Sequence, residues 1–243
     1  MSQPAIAVEG LSKRFGKRAA VDGLSFEVPT GGVCGFLGRN GAGKTTAIRM
    51  LMNLTDPTAG RALLLGLDAR RNHTELMARV GYVAEVPILY DWMKVRELVR
   101  FTSQFYAKWN AAAVGALLGR FGIDQGQEVR HLSRGTHAQL ALSLAMGHDP
   151  ELLILDEPAT GLDVLVRRDF LESIIQIIQQ EGRTVLFSSH LVHEVERVAD
   201  QIVVIDQGRL LVSARLDDLK QQAGQSLEDI FINLVGRREE VRQ

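Results

Sequence analysis

The chain has 243 residues, with 28 Lys and Arg against 29 Asp and Glu, a formal net charge of −1. That length gives one large domain or two small ones, enough to bury a sizeable core. The balanced charge excludes a broad electrostatic footprint for nucleic acid or anionic lipid, so any phosphate binding must be local. The single cysteine, Cys34, excludes an internal disulfide and fits a reducing cytosol; its apolar surroundings, Val33-Cys34-Gly35-Phe36-Leu37, make it a buried strand residue. Met1-Ser2-Gln3-Pro4 opens without a basic segment leading into an apolar core, and no stretch approaches the roughly 18 apolar residues of a membrane span. The expectation is a chain that neither crosses the bilayer nor is exported.

In chain order, Ile6-Ala7-Val8 and Leu24-Ser25-Phe26-Glu27-Val28 are short β-rich runs separated by polar and Gly turns, an antiparallel edge. Val33 to Leu37 is a continuous apolar strand that stops at Gly38, and a helical pattern begins near Lys44. From about Pro87 to Gly147 the pattern is helical, with Val95, Leu98, Val99, Phe101 and Phe105, then Val114, Leu117, Leu118 and Phe121, at helix spacing. Strands return at Leu152–Leu155, Thr184–Phe187 and Ile202–Ile205, with an amphipathic helix over Leu165–Gln180, and two short helices fill the tail from Leu216 to Val235. Alternating strand and helix argues for a parallel sheet covered by helices. The expected architecture is thus α/β, with 1–86 and 148–214 forming the core, 87–147 a helical insertion and 215–243 a helical tail.

Gly38-Arg39-Asn40-Gly41-Ala42-Gly43-Lys44-Thr45 matches the P-loop pattern in full and is followed by Thr46. Glycines let successive backbone N–H groups converge on phosphate oxygens, the helix start adds its positive dipole end, and Lys44 adds a full charge. Thr45 offers a hydroxyl to Mg²⁺. The loop by itself is common to transporters, kinases, GTPases and helicases. Leu152 to Leu155 leads into Asp156-Glu157, and neighbouring strand residues point to opposite sides, which gives the two carboxylates different tasks. Asp156 is placed to hold Mg²⁺, and Glu157 to orient and polarise the attacking water near the γ-phosphate.

Leu132-Ser133-Arg134-Gly135-Thr136, Asp156-Glu157-Pro158, Gly161-Leu162-Asp163 and His190 resemble the nucleotide-binding domains of ABC transporters over nearly the whole chain. The resemblance implies a P-loop NTPase fold, ATP and Mg²⁺ as ligands, and ATP hydrolysis that powers separate multi-span membrane subunits. It further implies an ATP-dependent dimer of two copies, in which Ser133 and Gly135 of one cap the γ-phosphate held by the other. Phe15 would stack on adenine, Asp163 would belong to the nucleotide site, and His190 would contact the γ-phosphate and the attacking water. From the residues alone, Phe15 also fits an ordinary core aromatic, while His190-Leu191-Val192-His193-Glu194 lacks the His-Glu-x-x-His order of a metal site.

Two positions depart from the family pattern. The signature carries Arg134 and Thr136 where Gly and Gln are usual, and an Arg near the γ-phosphate either attracts it or blocks close approach, which leaves a non-catalytic regulatory subunit as an alternative although Lys44, Asp156, Glu157 and His190 are intact. Glu85 stands where most members have a Gln that touches Mg²⁺ and relays to the membrane subunit; a carboxylate still ligates Mg²⁺, and Glu here resembles multidrug and antibiotic exporters, which favours export. The resemblance implies that the apolar stretch from Glu85 to Trp92, including Leu89 and Tyr90, docks on the membrane partner, at the cytoplasmic face of the membrane; from the residues alone these side chains also fit the insertion's own core. Kinases lack the signature loop and a His after the later strand. Soluble ABC-type ATPases of DNA repair or translation usually add a coiled coil or a second ATPase domain. No nucleic-acid partner is expected.

Overall fold

A computed structural model describes residues 3–240, without the side chains of 177–181 and 237–240. The first two residues and the last three of the expected tail lie outside the described residues. From the N-terminus the chain runs β1 (Ile6–Phe15), β2 (Arg18–Val28), β3 (Gly32–Leu37), α1 (Lys44–Leu51), β4 (Ala59–Leu64), β5 (Leu67–Asp68), α2 (His73–Met77) and β6 (Val80–Val83). Helices α3 (Val95–Ser103), α4 (Ala111–Arg120) and α5 (Arg134–Ala145) follow. Then come β7 (Leu152–Leu155), α6 (Val164–Glu181), β8 (Thr184–Ser189), α7 (Val192–Val198), β9 (Gln201–Asp206), β10 (Arg209–Arg215), α8 (Leu216–Ala223) and α9 (Leu227–Glu240).

The strands form two sheets. One has the order β10-β9-β3-β8-β7-β6 and is parallel except where β10 turns back on β9. The other is antiparallel, β2-β1-β4-β5, so the expected N-terminal edge is a sheet of its own that faces the first. β7 shows why the parallel strands read as unbroken apolar runs. Leu152 and Ile154 enter the core shared with the antiparallel sheet and α1, while Leu153 and Leu155 enter the core under α5, α6 and α7. Side chains alternate faces, and both faces are buried. Cys34 sits on β3 in the first core, where burial pushes its thiol up.

Between β6 and β7 a third core joins Val95 and Leu98 of α3 to Val114 and Leu118 of α4 and to Leu140 and Leu144 of α5. α5 serves two cores, because Leu142 and Ala145 on its other side pack under the sheet. It therefore ties the helical part to the sheet. In the stretch expected to dock on a partner, Leu89 packs against this third core, whereas Ile88 is 96 % exposed and Val86 and Trp92 are also exposed. The apolar surface is carried by Val86, Ile88, Tyr90 and Trp92, the Tyr90 ring edge-on to Trp92 and Phe101, rather than by Leu89. Among the described residues no helix is long and apolar enough to cross a membrane.

Candidate nucleotide site

The glycine loop fits its place only without side chains. A Cβ on Gly38 would lie 2.6 Å from the carbonyl oxygen of Ile205, and one on Gly43 would lie 2.4 Å from that of Ala20. Gly43 also has φ +105°, a left-handed conformation that costs glycine nothing. It stands directly before α1, whose start has no side-chain cap, so the first-turn N–H groups are left for an anion. Lys44, 5 % exposed, folds its Nζ back to donate to Gly38 O at 2.6 Å and Arg39 O at 3.3 Å, and lies 3.0 Å from Glu157 Oε1.

The acid pair stands two strands away, beyond the end of β7. The two carboxylates do diverge, but not through strand alternation: β7 stops at Leu155, and Glu157 takes a left-handed backbone with φ +47° that turns its side chain toward Lys44. The turn is held by Glu157 N donating to Ser188 Oγ at 2.8 Å. Asp156 is fully buried, its Oδ1 accepting from Thr45 Oγ1 at 3.2 Å and from Ser188 Oγ at 2.9 Å. Burial pushes its carboxyl above the usual range; hydrogen bonds from Ser188 and Thr45 oppose the rise, and the charges of Glu85 and Glu157 add to it.

Asp156 Oδ2 has no hydrogen-bond partner. A buried, unpartnered carboxyl oxygen beside a threonine hydroxyl is a ligand position for a hard cation, and the donor set of Thr45, Asp156 and Glu85 fits Mg²⁺. Among the described residues no cluster of three or more His, Cys, Asp or Glu side chains is arranged to hold a metal by itself, so the remaining oxygens would come from nucleotide and water.

Glu157 has the opposite balance. Burial alone would raise its carboxyl, but the charge of Lys44 and hydrogen bonds from Lys44, His190 and Thr160 more than offset this and hold it below the usual range. Its Oε2 takes Thr160 Oγ1 at 2.9 Å and His190 Nδ1 at 2.8 Å. The result is an ionised carboxylate held by three groups, suited to accept a proton from water once nucleotide draws Lys44 away.

Glu157, Thr160 and His190, but not the fully buried Asp156, border a cleft of about 1080 Å³, enough for a nucleotide, which also takes in Asn40 to Thr46 and Glu85. Phe15 stands at its outer end, 56 % exposed, and is no core aromatic. Gly38 and Arg39 serve through their carbonyls on Lys44 and do not border the cleft. Neither do Ser133, Gly135 and Asp163. Ser133 caps α5, its Oγ accepting from Thr136 N at 3.1 Å and pairing with Thr136 Oγ1 at 2.8 Å. Gly135 is packed against Val166, which a Cβ would approach to 2.6 Å. The expectation that Asp163 binds nucleotide finds no support within the single chain, because its Oδ1 accepts from Leu165 N and Val166 N at 3.1 Å and so starts α6. The Arg134 guanidinium lies over Gly161, where a Cβ would come within 2.7 Å of it.

Sequence reasoning missed Ser188 and Thr160. Both had a signal: a serine ending an apolar strand beside His190, and a hydroxyl three residues after Glu157 in a Pro-Ala-Thr-Gly turn. It also missed Ala19, Ala20 and Asp22 of β2, which reach the cleft only because the antiparallel sheet folds over the P-loop.

A glycine loop between a parallel strand and a helix start, with a buried lysine and an acid pair two strands over, defines a P-loop nucleotide-binding protein. The family model described as "ABC transporter" matches residues 21–160. The bacitracin transport ATP-binding protein BcrA of Bacillus licheniformis is 35 % identical over 225 residues, 92 % of this chain and 74 % of that protein. The daunorubicin resistance ATP-binding protein DrrA3 of Streptomyces coeruleorubidus is 35 % identical over 242 residues, 98 % of this chain and 76 % of that one. A solved structure described as the ATP binding subunit of an ABC transporter superposes with a TM-score of 0.84 at 26 % identity, covering 95 % of this chain and 99 % of that chain. The chain belongs to the ABC transporter family, as one of its ATP-binding, ATP-hydrolysing subunits.

Proposed function

We propose that two copies of this chain close on ATP and drive export through separate membrane-spanning subunits, from the cytoplasmic face of the membrane. The observation that carries the reading is that the signature turn at Ser133 is exposed and lies off its own chain's cleft, so a cleft walled on that side needs a second copy. The names of relatives in bacitracin transport and daunorubicin resistance, together with Glu85, favour export. In this reading the loop from Gly38 to Thr46 binds the phosphates, with Lys44 leaving Glu157 for them, and Phe15 stacks on the base. Thr45, Asp156 and Glu85 would hold Mg²⁺, which supplies neutralising charge to the phosphates. Glu157 takes the proton of the attacking water, and His190, bonded to Glu157 Oε2, orients both. Val86, Ile88 and Trp92 meet the membrane subunit. No step calls for nucleic acid.

Two engineered heterodimers test the shared site. One pairs a Lys44→Ala chain with a Ser133→Arg chain; the other pairs the double variant with an unaltered chain. With shared sites the first keeps one site whole and the second keeps none, so ATP-dependent nucleotide trapping should survive in the first only. Trapping that survives only in the second refutes the shared site.

A further inference from the structure

Glu157 Oε2 is held by two groups from different turns, Thr160 in the turn after β7 and His190 after β8. Behind them lies a second set of contacts that the nucleotide does not touch. Glu194 of α7 is 3 % exposed, and its Oε2 accepts from Ser189 Oγ at 2.6 Å. The same hydroxyl accepts from Leu191 N at 3.0 Å, so Ser189 clasps the turn that carries His190 from both sides. The other oxygen of Glu194 faces Arg167 Nε at 3.4 Å. Arg167, in the first turn of α6, donates from Nη2 to the carbonyl oxygen of Leu162 at 3.0 Å. Leu162 lies two residues beyond Thr160. The contacts therefore close a ring from Glu157 through His190, Ser189, Glu194, Arg167, Leu162 and Thr160 back to Glu157.

An ion pair between a half-buried Arg167 and a buried Glu194, whose facing atoms make no hydrogen bond, is a poor source of stability. Its place between two catalytic turns gives it another use. We propose that Glu194, Ser189 and Arg167 are positioning residues for ATP hydrolysis, which lock the His190 turn to the Thr160–Asp163 turn so that both holders of the Glu157 carboxylate move as one. None of the three borders the nucleotide cleft, so their effect falls on the geometry of Glu157 and not on ATP binding. The inference rests on the reading of Glu157 as the group that activates water.

The test uses the purified full chain with Ser189→Ala, Glu194→Gln, their double variant and Glu157→Gln. Thermal melts confirm folding, and turnover and ATP binding are measured separately. Freeing the His190 turn should lower kcat by roughly tenfold to a hundredfold, the scale of a small misplacement at the reacting atoms, while KM and ATP affinity stay within about twofold. The double variant should lose no more than the worse single, because both cut one chain of contacts. Ser189→Ala removes only a hydroxyl and decides the matter should Glu194→Gln fail to fold. Wild-type kcat in folded Ser189→Ala, alongside a dead Glu157→Gln, overturns the ring; an active Glu157→Gln overturns the reading of Glu157 beneath it.

Discussion

Replacing Glu157 with Gln keeps the shape of the side chain and removes its charge. In the native site Oε1 faces Lys44 Nζ at 3.0 Å, and Oε2 takes bonds from His190 and Thr160 at 2.8 and 2.9 Å. An amide oxygen can replace one of these acceptors. The amide nitrogen must then face the other side, where the Thr160 hydroxyl can rotate and the His190 ring can change tautomer, so no clash results. Lys44 keeps the Gly38 and Arg39 carbonyls, which limits the loss of folding stability to about 1–3 kcal/mol. The catalytic loss is larger. A positioned base contributes about 10²- to 10⁴-fold, or about 3–5 kcal/mol of the barrier. The phosphate-binding groups are untouched, so ATP affinity should be normal or tighter. The pH profile of stability gives a second check. Because the Glu157 carboxyl is held below its ordinary value, its contribution is present above the unfolded value and is lost as pH falls through the folded one; the variant should lack that part of the acid-side decline. Steady-state ATPase, fluorescent-nucleotide binding and thermal melts from acid to neutral pH cover all three. Turnover within about tenfold of the native chain, with binding intact, refutes the assignment.

Asp156→Asn should stabilise the nucleotide-free chain at neutral pH while abolishing Mg²⁺-dependent turnover. The Asp156 carboxyl is pushed up, so the native state holds a proton the unfolded chain has shed; the penalty is absent below the unfolded value and grows as pH rises through the folded one. A higher melting point at neutral pH, with the gain shrinking in acid, is the expected calorimetric result. Phe15→Ala should weaken ATP binding by about 1–3 kcal/mol, the scale of a lost base stack, and leave the melting point unchanged because the ring is already exposed; equal affinity in a titration rules out stacking. Ile88→Glu combined with Trp92→Gln should uncouple transport and partner pull-down while the isolated chain keeps its ATPase. The same polar change at Leu89 should instead lower the melting point, because Leu89 packs against the helical core.

Local chemistry was legible in the sequence wherever one short segment carries the whole requirement. The P-loop is such a case: spacing, glycines, lysine and hydroxyl are consecutive, and the strand before and helix after them follow from apolar pattern alone. The parallel strands were legible too, since burial on both faces leaves an uninterrupted apolar run. β4, β5, β6 and β10 escaped because they are short or half-exposed, and the second sheet escaped because nothing local says which strands pair. What tertiary structure alone decided is how distant segments meet. Thr45 reaches Asp156 across 111 positions, and Ser188 reaches it across 32. Side-chain patterns report burial and local conformation but not partners, so the separation of Asp156 from Glu157 was expected for the wrong reason. Strand alternation was the local argument, and a left-handed turn pinned by Ser188 was the actual cause. Likewise Asp163 carried a family motif in sequence, but within the single chain its carboxylate starts a helix. A carboxylate's task depends on which donors the fold brings within about 3 Å of it, and that distance is set by the packing of elements far apart in the chain.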